Sequence, residues 1–219
     1  MRTIGILVRG GLALLALACM APASHAQGIR ARQNIEYRLI APQPVETGDR
    51  IEVIDFFWYG CPYCNELQPA LEGWSRRKPA DVALRRIPAI LRDSWAPHAR
   101  IYYALEQLNE VERLHLKVYY GYHVEKLHMG RPDVMVEWAV KNGIGRSRWL
   151  DAYHSPEVDA KIERAKKLSE AYTVKVTPTL VVDGRYLTSG AYVPGTDVRD
   201  LLPILEDVIH LARQNRSGR

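Results

Sequence analysis

The sequence predicts an α/β fold that is interrupted by a helical insertion. A strand over residues 50–58 is followed by a helix that begins at Pro62, and another strand follows Pro178 and ends at a turn near Gly184. Between these parts, residues 93–172 show the apolar periodicity of helices. We therefore predict one α/β domain formed by residues 27–92 and 173–219, with residues 93–172 as an all-helical domain inserted into it.

The first 26 residues have the pattern of a secretory signal peptide. Arg2 and Arg9 precede an uncharged apolar run, Gly10–Met20, and Ser24-His25-Ala26 forms a small-x-small cleavage site. This run of 11 residues is shorter than the ~20 that a membrane-spanning helix needs. We expect cleavage after Ala26 and export of a chain that begins at Gln27.

Two alternatives for this segment remain open. It could be a short membrane anchor, or Cys19 could carry a lipid, although the preceding Ala16-Leu17-Ala18 only loosely resembles a lipobox. Removal of the segment would leave 193 of the 219 residues and lower the formal net charge from +5 to +3, because it carries two arginines and no acid. The remaining charge forms no basic block, so we expect no nucleic-acid partner.

A buried strand and a helix flank a pair of cysteines. Residues 50–58, RIEVIDFFW, are apolar on both faces from Val53 onward, apart from Asp55. Pro62 suits the first position of a helix, because its missing N–H would have no partner there. Apolar residues then recur at helical spacing at Leu67, Leu71 and Trp74. Cys61 is therefore expected at the helix N-cap, where free backbone N–H groups and the helix dipole stabilise a thiolate.

The spacing of Cys61 and Cys64 favours a redox-active pair over two structural roles. A structural zinc site normally has four Cys or His ligands, but the chain has no second CxxC. Three histidines belong to a different helical region, at His115, His123 and His128. A structural disulfide that closes so short a loop would constrain the unfolded chain very little. We predict that Cys61 is the nucleophile, that Cys64 is the resolving thiol, and that no metal is bound.

Four further helices are predicted from periodicity and boundary residues. Two of them cover Ala96–Leu108 and Pro132–Asn142. The third begins at Pro156 after Ser155, and its apolar face contains Val158, Ile162, Ala165 and Leu168. The last begins near Asp200, with a buried face formed by Leu205, Val208, Ile209 and Ala212.

The order of strand, Cys61-Pro62-Tyr63-Cys64 and helix resembles the thioredoxin superfamily. In that superfamily a cis-proline faces the cysteine pair, and Pro178 in Thr177-Pro178-Thr179 matches it. A helical insertion in an exported chain of this length is similar to the DsbA family of periplasmic thiol:disulfide oxidoreductases. The resemblance covers essentially the whole chain after residue 26, and its most specific motifs are FFWYGCPYC and VTPT.

This resemblance implies roles for several further residues. Asp55 would be a buried acid that handles the proton of Cys64, and Arg86, or equally Arg85, would be its basic partner. The expected substrate contacts are Pro62, Tyr63, Thr177 and Pro178. Two of these depart from the best-known members, which have His where Tyr63 stands and often have Val where Thr177 stands. Both departures leave the redox strength open without changing the class of chemistry.

The resemblance also implies a reaction and partners. A substrate thiolate would attack Cys61 of the oxidised pair, and a second substrate thiolate would release the oxidised product from the mixed disulfide. Expected partners are unfolded exported proteins with free thiols and a DsbB-like, quinone-linked membrane protein. We expect a monomer without a cofactor. Three alternatives remain: a disulfide reductase or isomerase, a glutathione-dependent oxidoreductase, and a non-catalytic peptide-binding or chaperone module.

Overall fold

The computed structural model describes residues 31–192 and 197–218, which form a five-stranded mixed sheet and seven α-helices. The strands are β1 (Arg38–Leu39), β2 (Ile51–Phe57), β3 (Val82–Pro88), β4 (Thr179–Val182) and β5 (Tyr186–Ser189). The helices are α1 (Pro62–Arg77), α2 (Ala96–Gln107), α3 (Val111–His123), α4 (Pro132–Lys141), α5 (Arg146–Tyr153), α6 (Pro156–Ala171) and α7 (Leu201–Ser217). The predicted signal peptide, its cleavage site and Cys19 lie outside the described residues. None of the described helices is long and apolar enough to cross a membrane.

β2 is an interior strand, because it is hydrogen-bonded to a neighbour on each side. The sheet order is β1-β5-β4-β2-β3, with β2 parallel to β3 and antiparallel to β4. All seven residues of β2 are buried, as the apolar run from Val53 predicts, and Asp55 is buried with them. The helix α1 connects β2 to the parallel strand β3, so the cysteine pair lies at the start of a crossover helix.

Five helices, α2–α6, occupy the chain between β3 and β4, which confirms the predicted α/β fold with a helical insertion. The predicted helices at 96–108, 132–142 and 156 onward agree with α2, α4 and α6 to within a residue or two. The helices α3 and α5 were not predicted. α3 lacks a side-chain N-cap and is rich in weak helix formers, and α5 has only eight residues, so both depend on tertiary packing.

Two apolar clusters lie on opposite faces of the sheet, because successive side chains of β2 alternate between them. Ile51 and Val53 belong to the cluster that contains α1 and α7. Ile54 and Phe56 belong to the cluster formed with the inserted helices. The predicted buried face of α7 is confirmed, since Leu205, Val208, Ile209 and Ala212 are all buried. β2 therefore connects the two halves of the core.

The turn between β4 and β5 requires glycine, which gives a test of the fold. Gly184 has a φ of +70°, and a Cβ at this position would collide with the backbone carbonyl oxygen of Gln43. The Gln43 N–H also donates to the Gly184 carbonyl at 2.9 Å. We expect Gly184→Ala to lower the free energy of unfolding by about 3 kcal/mol in urea denaturation, since backbone strain and the collision add.

Gly48 provides a matched control for this substitution. Its φ is +63°, but a Cβ there would meet no atom within 4 Å. Gly48→Ala should therefore lower the free energy of unfolding by only about 1 kcal/mol, through backbone strain alone. Equal losses for the two variants would mean that the contact with Gln43 does not constrain the turn.

Candidate active site

The cysteine pair lies at the N-terminus of α1, four residues after β2 ends. Cys61 is the N-cap residue, with φ −83° and ψ 120°, and Pro62 takes the first helical position. The Cys61 sulfur accepts the backbone N–H of Cys64 at 3.3 Å. Cys61 is 6% exposed and Cys64 is 0% exposed, so a substrate sulfur can reach Cys61 first.

Cys61 also lies against the loop that precedes β4. The Thr177–Pro178 peptide bond is cis, and the Cys61 thiol donates to the Thr177 carbonyl at 3.2 Å. A hydrogen bond from the Cys64 side chain lowers the pKa of Cys61 most. Hydrogen bonds from the Thr177 side chain and from the backbone at positions 63 and 64 lower it further, and together these outweigh the opposing effect of burial. Together they lower the pKa of Cys61 to about 6. Cys61 is therefore mainly a thiolate at neutral pH, which is the form that attacks disulfides.

Cys64 has the opposite electrostatic environment. Burial raises the pKa of Cys64 well above its usual value, and the neighbouring Cys61 and the charge of Asp55 raise it further. A single turn of helix therefore carries one thiol that ionises readily and one that stays protonated.

Asp55 lies fully buried on β2, beneath the pair. Burial raises the pKa of its carboxyl group to about 6, although a hydrogen bond from Gln68 and the charge of Arg86 act in the opposite direction. The Gln68 Nε2 donates to Asp55 Oδ2 at 2.8 Å, whereas Oδ1 has no hydrogen-bond partner among the described residues. Asp55 thus keeps one free oxygen that can receive or release a proton.

The two β3 arginines that were expected as partners of Asp55 form their ion pairs with other residues. Asp55 and Arg86 are register partners on adjacent strands, but the Arg86 Nη2 donates to Glu72 Oε1 at 2.6 Å. Arg85 pairs instead with Glu52 at 2.7 Å. Glu72 is partly exposed, so an ion pair there avoids burying a complete pair of charges beside Asp55. Arg86 therefore acts on Asp55 only through space, and the neutral Gln68 supplies the hydrogen bond.

Two of the histidines that were treated as remote contact this site. The helix α3 packs against α1. His115 hydrogen-bonds the Tyr59 hydroxyl at 2.8 Å, and His123 hydrogen-bonds the Tyr59 carbonyl oxygen at 2.8 Å. Their separation in sequence suggested that these histidines lie far from the cysteines. This was wrong, because α3, the helix that brings them to the site, was not predicted. No group of three or more His, Cys, Asp or Glu that could hold a metal occurs in residues 31–192 and 197–218.

A groove with a volume of about 590 Å³ opens beside Cys61. One wall contains Trp58 and Trp95, whose parallel rings stack with centroids 4.1 Å apart. Of the predicted substrate contacts, Pro62 and Thr177 line the groove. The other two do not line it: Pro178 is buried, and Tyr63 is 62% exposed.

Comparisons with known proteins agree with this geometry. Residues 52–202 match the family model described as DSBA-like thioredoxin domain. A thiol:disulfide interchange protein DsbA from Bordetella parapertussis is 34% identical over 202 residues, covering 92% of this chain and 94% of the relative. The corresponding protein from Burkholderia cepacia is 33% identical over 184 residues, covering 82% and 84% of the two chains.

Solved structures show the same similarity in three dimensions. The crystal structure of Pseudomonas aeruginosa DsbA superposes with a TM-score of 0.80 at 30% identity, covering 85% of this chain and 97% of that one. The oxidoreductase DsbA from Xylella fastidiosa superposes with a TM-score of 0.74 at 27% identity. The chain has the thioredoxin fold, and it belongs to the DsbA family of thiol:disulfide oxidoreductases.

Proposed function

We propose that Cys61 is the sulfur that exchanges with substrates, that Cys64 is the resolving thiol, and that Asp55 exchanges a proton with Cys64. The observation that carries this assignment is the opposite electrostatics of the two thiols within one helical turn. The pKa of Cys61 is lowered to about 6, whereas that of the buried Cys64 is raised well above its usual value. Only the thiolate is an effective nucleophile and leaving group, so the two positions are not interchangeable.

The assigned roles account for each step of disulfide donation. A substrate thiolate attacks the Cys61 sulfur of the oxidised pair, the S–S bond breaks, and Cys64 leaves and takes a proton from Asp55. A second substrate thiolate then attacks the substrate sulfur of the mixed disulfide and expels the Cys61 thiolate. Two electrons pass from the substrate to the pair. Stabilisation of the Cys61 thiolate favours the reduced protein and therefore drives substrate oxidation.

Substrates of this reaction are proteins with free thiols, and the groove beside Cys61 would hold an extended segment of them. Backbone groups at Thr177-Pro178 would pair with that segment, while Pro62 and the Trp58 wall of the groove would contact its side chains. Tyr63 would contact substrate from outside the groove. These contacts would give low sequence specificity, which suits an enzyme that acts on many unfolded chains.

The N-terminal sequence pattern and the family support a compartment and a reoxidising partner for this reaction. We propose export under the direction of residues 1–26, action in the periplasm as a monomer, and reoxidation by a DsbB-like, quinone-linked membrane protein. Residues 27–92 and 173–219 would form the thioredoxin-like domain and residues 93–172 the helical insertion domain. The apolar run and the small-x-small site before Gln27 support the export assignment.

Single cysteine substitutions test the assigned roles. Cys61→Ser should abolish oxidation of a reduced substrate protein, because no sulfur remains at the accessible position. Cys64→Ser should still react with an activated substrate disulfide but should accumulate the mixed disulfide, which mass spectrometry detects. Oxidation at an unchanged rate by Cys61→Ser would reverse the assignment. If the unsubstituted protein binds peptides but oxidises no thiols, it is a binding module.

Substitution of Tyr63 tests what sets the oxidising strength. Tyr63 is neutral, whereas a cationic imidazole beside the sulfur would stabilise the thiolate further. Tyr63→His should lower the pKa of Cys61 below about 6 and raise the reduction potential, by ~30 mV for each ~1.4 kcal/mol of added stabilisation. Thiolate absorbance against pH and a glutathione titration measure both quantities. Tyr63→Phe is the control and should change neither. If Tyr63→His matches Tyr63→Phe, the backbone around Cys61 sets the potential.

Substitution of Asp55 tests its burial and its role in proton transfer. The pKa of Asp55 is raised from 3.8 to about 6 in the folded protein, so its contribution to stability is present below pH 3.8 and is lost as the pH rises through 6. Asparagine does not ionise, so the Asp55→Asn variant does not lose this stability as the pH rises. The oxidised variant should therefore gain about 3 kcal/mol of unfolding free energy relative to the unsubstituted protein between about pH 4 and about pH 8.

The same Asp55→Asn variant should exchange disulfides about a hundredfold more slowly, because it cannot pass a proton to or from Cys64. Denaturant unfolding at the two pH values and stopped-flow exchange kinetics measure the two effects separately. An unchanged rate and pH profile would make Asp55 a bystander in the reaction.

A further inference from the structure

A continuous chain of buried hydrogen bonds connects Asp55 to the segment that precedes Cys61. Gln68 Nε2 donates to Asp55 at 2.8 Å, and Gln68 Oε1 lies 3.3 Å from His115 Nε2. The opposite ring nitrogen of His115, Nδ1, lies 2.8 Å from the Tyr59 hydroxyl. All four side chains are at most 1% exposed. They come from β2, the following loop, α1 and α3, so the chain exists only in the folded protein.

The direction of every hydrogen bond in this chain follows from the ionised form of Asp55. A carboxylate only accepts, so the Gln68 amide must turn its NH₂ group toward Asp55 and its oxygen toward His115. That oxygen also only accepts, so His115 carries its proton on Nε2 and accepts the Tyr59 hydroxyl at Nδ1. Burial lowers the pKa of His115 well below its usual value, which keeps the ring neutral with a single proton.

From this geometry we propose that Gln68 is a positioning residue that sets the proton affinity of Asp55, and that His115 and Tyr59 hold Gln68 in the required orientation. The inference rests on the proposed exchange of a proton between Asp55 and Cys64. Donation from the amide stabilises the carboxylate, whereas a reversed amide would present its oxygen and stabilise the protonated acid instead. The chain therefore allows a fully buried acid to ionise near neutral pH.

The other titratable or charged groups that face Asp55 do not supply this hydrogen bond. They come from three helices and a strand: Cys64 and Glu72 on α1, Arg86 on β3, Tyr102 on α2, and Tyr119 on α3. The charge of Arg86 is largely compensated by Glu72, to which it is bonded. Burial raises the pKa values of both tyrosines, so they stay neutral. Removal of the Gln68 donor should therefore move the titration of Asp55 directly.

The test is a carboxyl NMR titration of Asp55 in the oxidised protein, in which neither active-site thiol titrates. Aspartate is labelled with ¹³C, and the Asp55 signal is identified by its loss in Asp55→Asn. Gln68→Met keeps the length of the side chain but removes the donor, so the pKa of Asp55 should rise by about one pH unit. His115→Phe and Tyr59→Phe leave Gln68 free to turn, and each should raise the pKa by a smaller amount.

Tyr119→Phe is the matched control for Tyr59→Phe. Both rings pack on His115, with centroids within 5.3 Å, but the Tyr119 hydroxyl has no hydrogen-bond partner among the described residues. Its removal should leave the Asp55 titration unchanged. Tyr59→Phe deletes a single oxygen atom, so it keeps the test decisive if His115→Phe proves unstable in thermal unfolding.

Each outcome decides the proposal. An unchanged titration in Gln68→Met would overturn it, and a shift in Gln68→Met without one in Tyr59→Phe and His115→Phe would overturn the orienting role of those two residues. In the supporting case, the pH midpoint at which Cys64 resolves a mixed disulfide on Cys61 rises in the same variants. Failure of the proposed function is distinguishable: the NMR shifts would persist, but Asp55→Asn would leave the pH dependence of that resolution step unchanged.

Discussion

The junction between β2 and α1 is the constraint on which the rest of this structure depends. β2 is hydrogen-bonded on both sides and buried along its whole length, so the position of Phe57 is fixed by the sheet. Pro62 starts α1 five residues after that strand end, which leaves little freedom in the connection. Cys61 must therefore cap the helix near the surface, while Cys64, one turn later, must face the core. The opposite acidities of the two thiols follow from this placement.

The inserted helices supply polar groups as well as shielding. The helix α3 brings His115 into an aromatic cluster with Phe57, Tyr59 and Tyr119, in which the ring centroids lie between 4.9 and 6.3 Å from one another. The turn before α2 brings Trp95 onto Trp58 and so builds one wall of the groove beside the cysteines. The site is consequently shared between β2 and α1, which carry the reactive groups, and the insertion, which orients and covers them.

Features that depend on local sequence could be predicted, and those that depend on tertiary contacts could not. The helix start at Pro62, the buried strand and the apolar face of α7 all express local periodicity or backbone preference. The family resemblance implied Arg86 or Arg85 as the basic neighbour of Asp55, and Arg86 is its register partner, but the choice of Glu72 as the ion-pair partner of Arg86 depends on how α1 crosses the sheet.

Gln68 and His115 were missed for a related reason, although each left a signal. Gln68 lies one turn after Cys64, next to the apolar Leu67, and His115 lies between the buried Leu114 and Val118 of α3. A polar residue on an apolar helix face usually has a buried partner. That signal could have been read for Gln68, but the weak helical propensity of α3 concealed the apolar face on which His115 lies.

The reduced site places Cys64 between two negative charges, and this arrangement couples the two thiols. Burial raises the pKa of Cys64 most, and the Cys61 thiolate and the Asp55 carboxylate raise it further, so the reduced pair holds one thiolate and one thiol. When Cys61 enters a mixed disulfide, it loses its charge and its hydrogen bond to Cys64. One of the two charges that oppose the ionisation of Cys64 then disappears. The pKa of Cys64 must then fall, and the carboxylate of Asp55 is available to take its proton. Cys64 is therefore activated at the stage at which it has a disulfide to attack, and it remains protected by its proton when it has none.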